Sequence, residues 1–149
     1  MSECLTALAS LGAAASALFL VWQIWEMRRQ FTTNFEDSFA REYRKIIRRI
    51  PVKAMFGETL SEQEQKDNLR NFYFYFDLCN EQEFYHTIGR VNEQTWIFWH
   101  DGMKSNFDRP AFKCAWAEVC SRAGKDFNEL RLLFPPEAEL VLKTKAQPS

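Results

Sequence analysis

From Cys4 to Trp25 the chain carries no formal charge, and directly beyond that run come Glu26, Arg28 and Arg29. As a helix rising about 1.5 Å per residue, such a run covers about 33 Å, which matches the roughly 30 Å hydrocarbon core of a bilayer. The rival reading of these residues is an Ala-rich helix buried in a protein core. The flanks favour a crossing. The start, "MSE", is acidic and the basic pair follows the run, whereas a cleaved secretory leader has a basic start and a shorter apolar stretch. Every Lys and Arg lies at or beyond Arg28. By the excess of positive charge on cytoplasmic flanks, the residues ahead of the run are expected outside and all that follows Glu26 in the cytoplasm. Trp22 and Trp25 suit the inner interface. A mean hydropathy of -0.39 for the whole chain speaks against a polytopic membrane protein and leaves this one segment as the candidate to enter lipid.

The run is rich in small and polar residues at a regular interval. Ser2, Ala9, Ser16, Gln23 and Gln30 recur every seventh position, with Gly12, Ala13 and Ala17 near them on a helical surface. Small residues let two backbones approach, and Ser or Gln can bond across the gap for about 0.6 to 2 kcal/mol each. This seam predicts a homo-oligomer. In a ring of copies the same stripe could line a water-filled lumen. A plain anchor diluted by Ala and Ser is the third possibility.

Between Phe31 and Ile50 the period is helical. Phe35, Phe39, Tyr43, Ile46, Ile47 and Ile50 share one side, while Arg41, Arg44, Lys45, Arg48 and Arg49 form a basic stripe on the other. Pro51 is expected to stop this helix. Eight basic and four acidic residues lie between Glu26 and Lys53, against eleven and fifteen from Ala54 onward. Three partners suit the stripe: anionic lipid headgroups at about 1 kcal/mol per cation, RNA phosphates, or acidic side chains of a neighbouring subunit or of the remaining chain. If the first helix ran on unbroken, it would form a rod of about 70 Å and carry the stripe away from the lipid.

The remainder reads as a helical domain. Ser61 and Glu64 form a capping box that opens a helix to about His86, with Leu69, Phe72, Phe76 and Cys79 as its seam. Gly89 ends it. Asn92 caps a helix carrying Trp96, Phe98 and Trp99, and Asp108 with Pro110 begins another that turns Phe112, Trp116 and Val119 to a core. A last helix from about Lys125 to Phe134 closes before Pro135 and Pro136. The expected organisation is all-α: a transmembrane helix over 1–27, a basic amphipathic juxtamembrane helix over 28–53, a cytoplasmic helical bundle over 54–136 and a flexible tail over 137–149. Cys4, Cys79, Cys114 and Cys120 show no metal-binding spacing and read as reduced, buried residues. No cofactor or metal is expected.

The block "FYFYFDLCNEQEFYHTIGRVNEQTWIFWHDGM", followed by "RPAFKCAW", resembles a family of small bacterial proteins with one N-terminal membrane helix and a helical cytoplasmic domain. The resemblance covers roughly Leu69 to Trp116. The block also looks like the small membrane accessory proteins of type VI-B CRISPR loci, divergent members of the HEPN group. The resemblance implies a bacterial inner-membrane protein that assembles into a pore, serves antiviral defence and is functionally linked to an RNA-guided RNA nuclease.

HEPN ribonucleases place a His four to six residues after an Arg. Here His86 and His100 follow their nearest upstream arginines, Arg70 and Arg90, by sixteen and ten positions. The motif is therefore absent, as are phosphate loops, nucleophile elbows and zinc-protease signatures, so no enzyme is expected. His100, between Trp99 and Asp101, reads as an ordinary helix terminus. Asp77, Asn80 and Glu81 share a helical face amid aromatics. They suit either a structural polar network closed by Arg90 or Arg109, or a metal or acid/base site.

Overall fold

A computed structural model describes residues 2–136, with the backbone alone for 2–15, Arg29 and Thr32. The described residues form α1 (Ser2–Ile47), α2 (Val52–Met55), α3 (Glu62–Thr87), α4 (Glu93–Phe107), α5 (Pro110–Arg122) and α6 (Asn128–Leu133), with no strand among them. The all-α expectation holds. The chain divides into two compact units, Met1–Asp37 and Ser38–Ser149.

Several helix ends of the second unit are set by local residues. Pro51, with no N–H to give, follows a turn at Arg48–Ile50, and its carbonyl accepts from Ala54 at 2.9 Å to start α2, a short helix the sequence pattern does not announce. The capping box forms as expected: Glu64 N–H reaches the Ser61 hydroxyl while the Glu64 carboxylate accepts from Ser61 N–H at 2.9 Å. Lys53 pairs with the same carboxylate, which fastens α2 to the start of α3. At the other end of α3, Gly89 takes φ of 71° and the Arg90 and Gly89 amides return to the Tyr85 and His86 carbonyls, the double-bonded C-terminal turn that favours glycine. The Asn92 side chain caps α4 through Gln94 N–H at 2.8 Å.

Three local expectations are corrected. Arg109, not Asp108, stands at the N-cap of α5; Asp108 closes α4, and Pro110 occupies the first turn of α5, where its missing N–H has no helical partner to lose. The last helix begins at Asn128 rather than near Lys125, because Phe127 adopts φ of 64° and turns the chain sharply. Its ring is held in place, 5.3 Å from Tyr73 and 5.8 Å from Trp116. His100 lies in the middle of α4, not at a terminus.

An aromatic core sits between α3, α4 and α5. Phe72 meets the edge of Phe112 at 5.0 Å, Phe76 lies 4.9 Å from Trp116, and Phe107 stacks on Phe134 at 4.1 Å. Phe72, Phe76 and Phe112 are wholly buried, so truncating any of them to Ala costs about 3–5 kcal/mol. Phe98, on the helix that Asn92 caps, is 78% exposed. Cys79 and Cys120 are buried free thiols, but Cys114 is exposed.

Candidate functional site

The first unit is a helix with an apolar surface on every side. Leu18, Phe19, Leu20, Val21, Trp22, Ile24, Trp25 and Met27 are between 47% and 76% exposed. At about 100° per residue the first four alone encircle the axis. Phe19 and Trp22 touch along the helix at 5.7 Å, a contact that covers little of either ring. Among the described residues no helix is long and apolar enough to cross a membrane, so the transmembrane helix expected over 1–27 is not found there. The part of the uncharged run from Cys4 to Ala15 lies outside the described side chains.

Of the heptad seam, Ala9 likewise lies outside the described side chains, while Ser16, Gln23 and Gln30 are exposed along one stripe of α1. The Gln30 amide donates to Glu26 Oε1 at 3.5 Å, one helical turn away.

The basic stripe is exposed throughout, but its members differ. Lys45 pairs with Glu42 at 3.0 Å, while Arg41, Arg44, Arg48 and Arg49 have no ion pair with the described residues. Cations near a helix C-terminus are favoured by the backbone dipole, which accounts for part of the clustering. Arg48 and Arg49 lie in the turn beyond α1, where Asn71 Nδ2 donates to the Arg49 carbonyl at 3.2 Å.

Arg44 also lines a cleft of 380 Å³ between α1, α3 and α4. Tyr43 comes from α1, Tyr75, Cys79 and Gln82 from α3, and Trp99 and Asp101 from α4. Tyr75 is held from below: Asn106 Nδ2 donates to its hydroxyl at 2.8 Å, and Arg109 in turn donates to Asn106 Oδ1. Burial raises the Tyr75 phenol well above its ordinary value and pushes the Cys79 thiol up to about 12, so both are neutral donors rather than nucleophiles. Gln82 is only 4% exposed, yet its amide has no hydrogen-bond partner among the described residues. Sequence reading missed this residue. The signal was present in the spacing of Tyr75, Cys79 and Gln82 at i, i+4 and i+7, which continues the buried side of α3 into a polar position.

The proposed network of Asp77, Asn80, Glu81 and Arg90 does not close. Asn80 Oδ1 accepts from Leu130 N–H at 3.1 Å and so caps α6 from a distant part of the chain. Arg90 lies 6.0 Å from the Tyr85 ring centre, and Arg109 is engaged by Asn106. Asp77 and Glu81 are left as exposed neighbours. Partial burial and then Asp126 raise the Asp77 carboxyl above its ordinary value; partial burial and then Asp77 raise that of Glu81. No group of three or more His, Cys, Asp or Glu able to hold a metal occurs among the described residues.

Among the described residues, neither histidine forms a hydrogen bond with an arginine. His86 stacks on Trp96 at 4.2 Å with its Nε2 3.4 Å from Glu93, and His100 faces Phe134 at 6.0 Å. The arrangement is thus an all-α domain with an aromatic core, following a helix whose described apolar surface is uncovered. The chain matches no family model, no curated protein and no solved structure, and a HEPN-like arrangement has no support beyond the sequence block.

Proposed function

We propose that this chain is a single-span protein of a bacterial inner membrane, with its cytoplasmic domain following the apolar helix, and that copies associate through Ala9, Ser16, Gln23 and Gln30 into a pore-like assembly. The observation that carries the reading is the uncovered apolar circumference from Leu18 to Met27. A helix apolar all round belongs in a protein core or a membrane. Each such side chain gains about 1.5–3 kcal/mol on full burial, so leaving this group in water forgoes on the order of 10 kcal/mol. The uncharged run continues back to Cys4, and Arg28 and Arg29 follow it on the side where the positive-inside bias requires cations. Service in antiviral defence, beside an RNA-guided RNA nuclease, rests on the resemblance of Leu69–Trp116 and on nothing else. The reading assigns no catalytic residue.

A second reading keeps the tether and drops the pore: the unpaired Arg41, Arg44, Arg48 and Arg49 bind anionic lipid or RNA, and the domain regulates from the membrane surface. Carbonate extraction of cell membranes, cysteine labelling at Ser2 and near the tail, and dye flux from liposomes separate the possibilities. Ser16→Leu lowers the oligomeric mass if the seam packs against a neighbour. Gln23→Leu leaves the mass intact and reduces flux if the seam faces water. Full-length protein in the soluble fraction would end both membrane readings. Monomers without flux would leave the tether alone.

A further inference from the structure

We propose that the cleft between α1, α3 and α4 is a binding site for a small aromatic zwitterion, of which an aromatic α-amino acid with a polar ring edge is the simplest form. The cleft is built in two tiers. In its wall Gln82 is nine-tenths buried and its amide, one acceptor and two donors, has no hydrogen-bond partner among the described residues. Its amide atoms stay in contact with the cleft, so a ligand there can bond to them in place of water. Tyr43, Trp99 and Met103 supply apolar and aromatic wall around that amide. At the exposed tier Arg44 and Asp101 line the same cleft, and neither has an ion pair, with the other or with any described residue. Two opposite charges in one cleft, both unpaired, fit a ligand that carries both signs.

The three groups divide the recognition. Arg44 takes a carboxylate, for which its planar fork is suited. Asp101 takes an ammonium group. Gln82 takes a ring N–H or O–H, while the ring lies against the aromatic wall. A cleft of 380 Å³ is within the range of small-molecule sites. A nucleotide would satisfy Arg44 and stack, but its phosphate would meet Asp101 with like charge. The amino acid has no such conflict.

The test is a calorimetric titration of the full-length protein, solubilised in mild detergent, with L-tryptophan, L-phenylalanine, N-acetyl-L-tryptophan and tryptamine. Tryptophan is expected to bind best, and each analogue at least about tenfold more weakly, because each lacks one of the three matched groups. The variants then remove the preferences one at a time. Gln82→Leu abolishes the preference for tryptophan over phenylalanine, Asp101→Asn the preference over the N-acetyl form, and Arg44→Gln the preference over tryptamine. Gln82→Leu is also expected to leave the thermal midpoint of the ligand-free protein little changed, because its amide bonds to no described residue. A purely structural Gln82 would lower it. Absence of heat with tryptophan at millimolar concentration, equal binding of all four compounds, or tighter binding of uridine monophosphate would overturn the proposal. Because every lining residue lies beyond Ser38, these outcomes do not depend on whether α1 enters a membrane.

Discussion

Tyr75→Phe removes a single oxygen from the most buried polar contact of the domain. In the native protein Asn106 Nδ2 donates to that oxygen at 2.8 Å, and Tyr75 and Asn106 are 1% and 3% exposed. The ring remains, so its packing 5.2 Å from Phe112 and 5.6 Å from Phe76 is retained and no large cavity opens. What changes is the amide donor of Asn106, which loses its acceptor and is too buried for bulk water to replace it. The cost of an orphaned buried donor is about 1–3 kcal/mol, so a loss of about 2 kcal/mol is expected. For a unit of this size each kcal/mol moves the thermal midpoint by about 4–8 °C, which gives a fall of roughly 10 °C. Circular dichroism melts of the full-length protein in detergent measure it, with Tyr73→Phe on the exposed side of α3 as the control. On an Asn106→Leu background the same substitution should cost at least about 1 kcal/mol less, because the donor is already gone. A loss below about 0.5 kcal/mol in the wild-type background, or equal losses in both, would refute the assignment of this bond as the cause.

The Glu64 carboxyl is held down to about 2 by Lys53 and then by the Ser61 amide and hydroxyl, so its contribution is present above the ordinary glutamate value of 4.5 and lost as pH falls toward 2; Glu64→Gln should flatten the stability profile across that window in denaturant titrations. Asp77 runs the other way. Its raised carboxyl means that the folded state binds a proton more tightly than the unfolded one, so stability falls as pH rises from 3.8 through the raised value, and Asp77→Asn should stabilise the protein at neutral pH with little effect in acid. Maleimide labelling followed by peptide mass mapping should modify Cys114 rapidly and leave Cys79 unmodified until the domain unfolds, since the latter is buried and its thiol is pushed up to about 12; labelling of Cys79 at the native rate of Cys114 would contradict that placement.

The all-α class, the capping box at Ser61, the glycine turn at Gly89 and the Asn92 cap were legible in the sequence because each depends on residues within a few positions of one another, and backbone geometry translates such spacing directly into a contact. The uncharged run from Cys4 was legible for the same reason, since solvent preference is a property of a segment. The fate of individual polar groups was not. Asn80, grouped by spacing with Asp77 and Glu81, caps a helix fifty residues away, and Arg109, placed at the same network, binds Asn106 instead. The cleft at Gln82 exists only where α1, α3 and α4 converge. Local hydrogen bonds and segment hydrophobicity are fixed by neighbours in the chain, whereas the partner of a buried polar side chain is set by helix crossings that bring distant residues together, and that was decided by the tertiary structure alone.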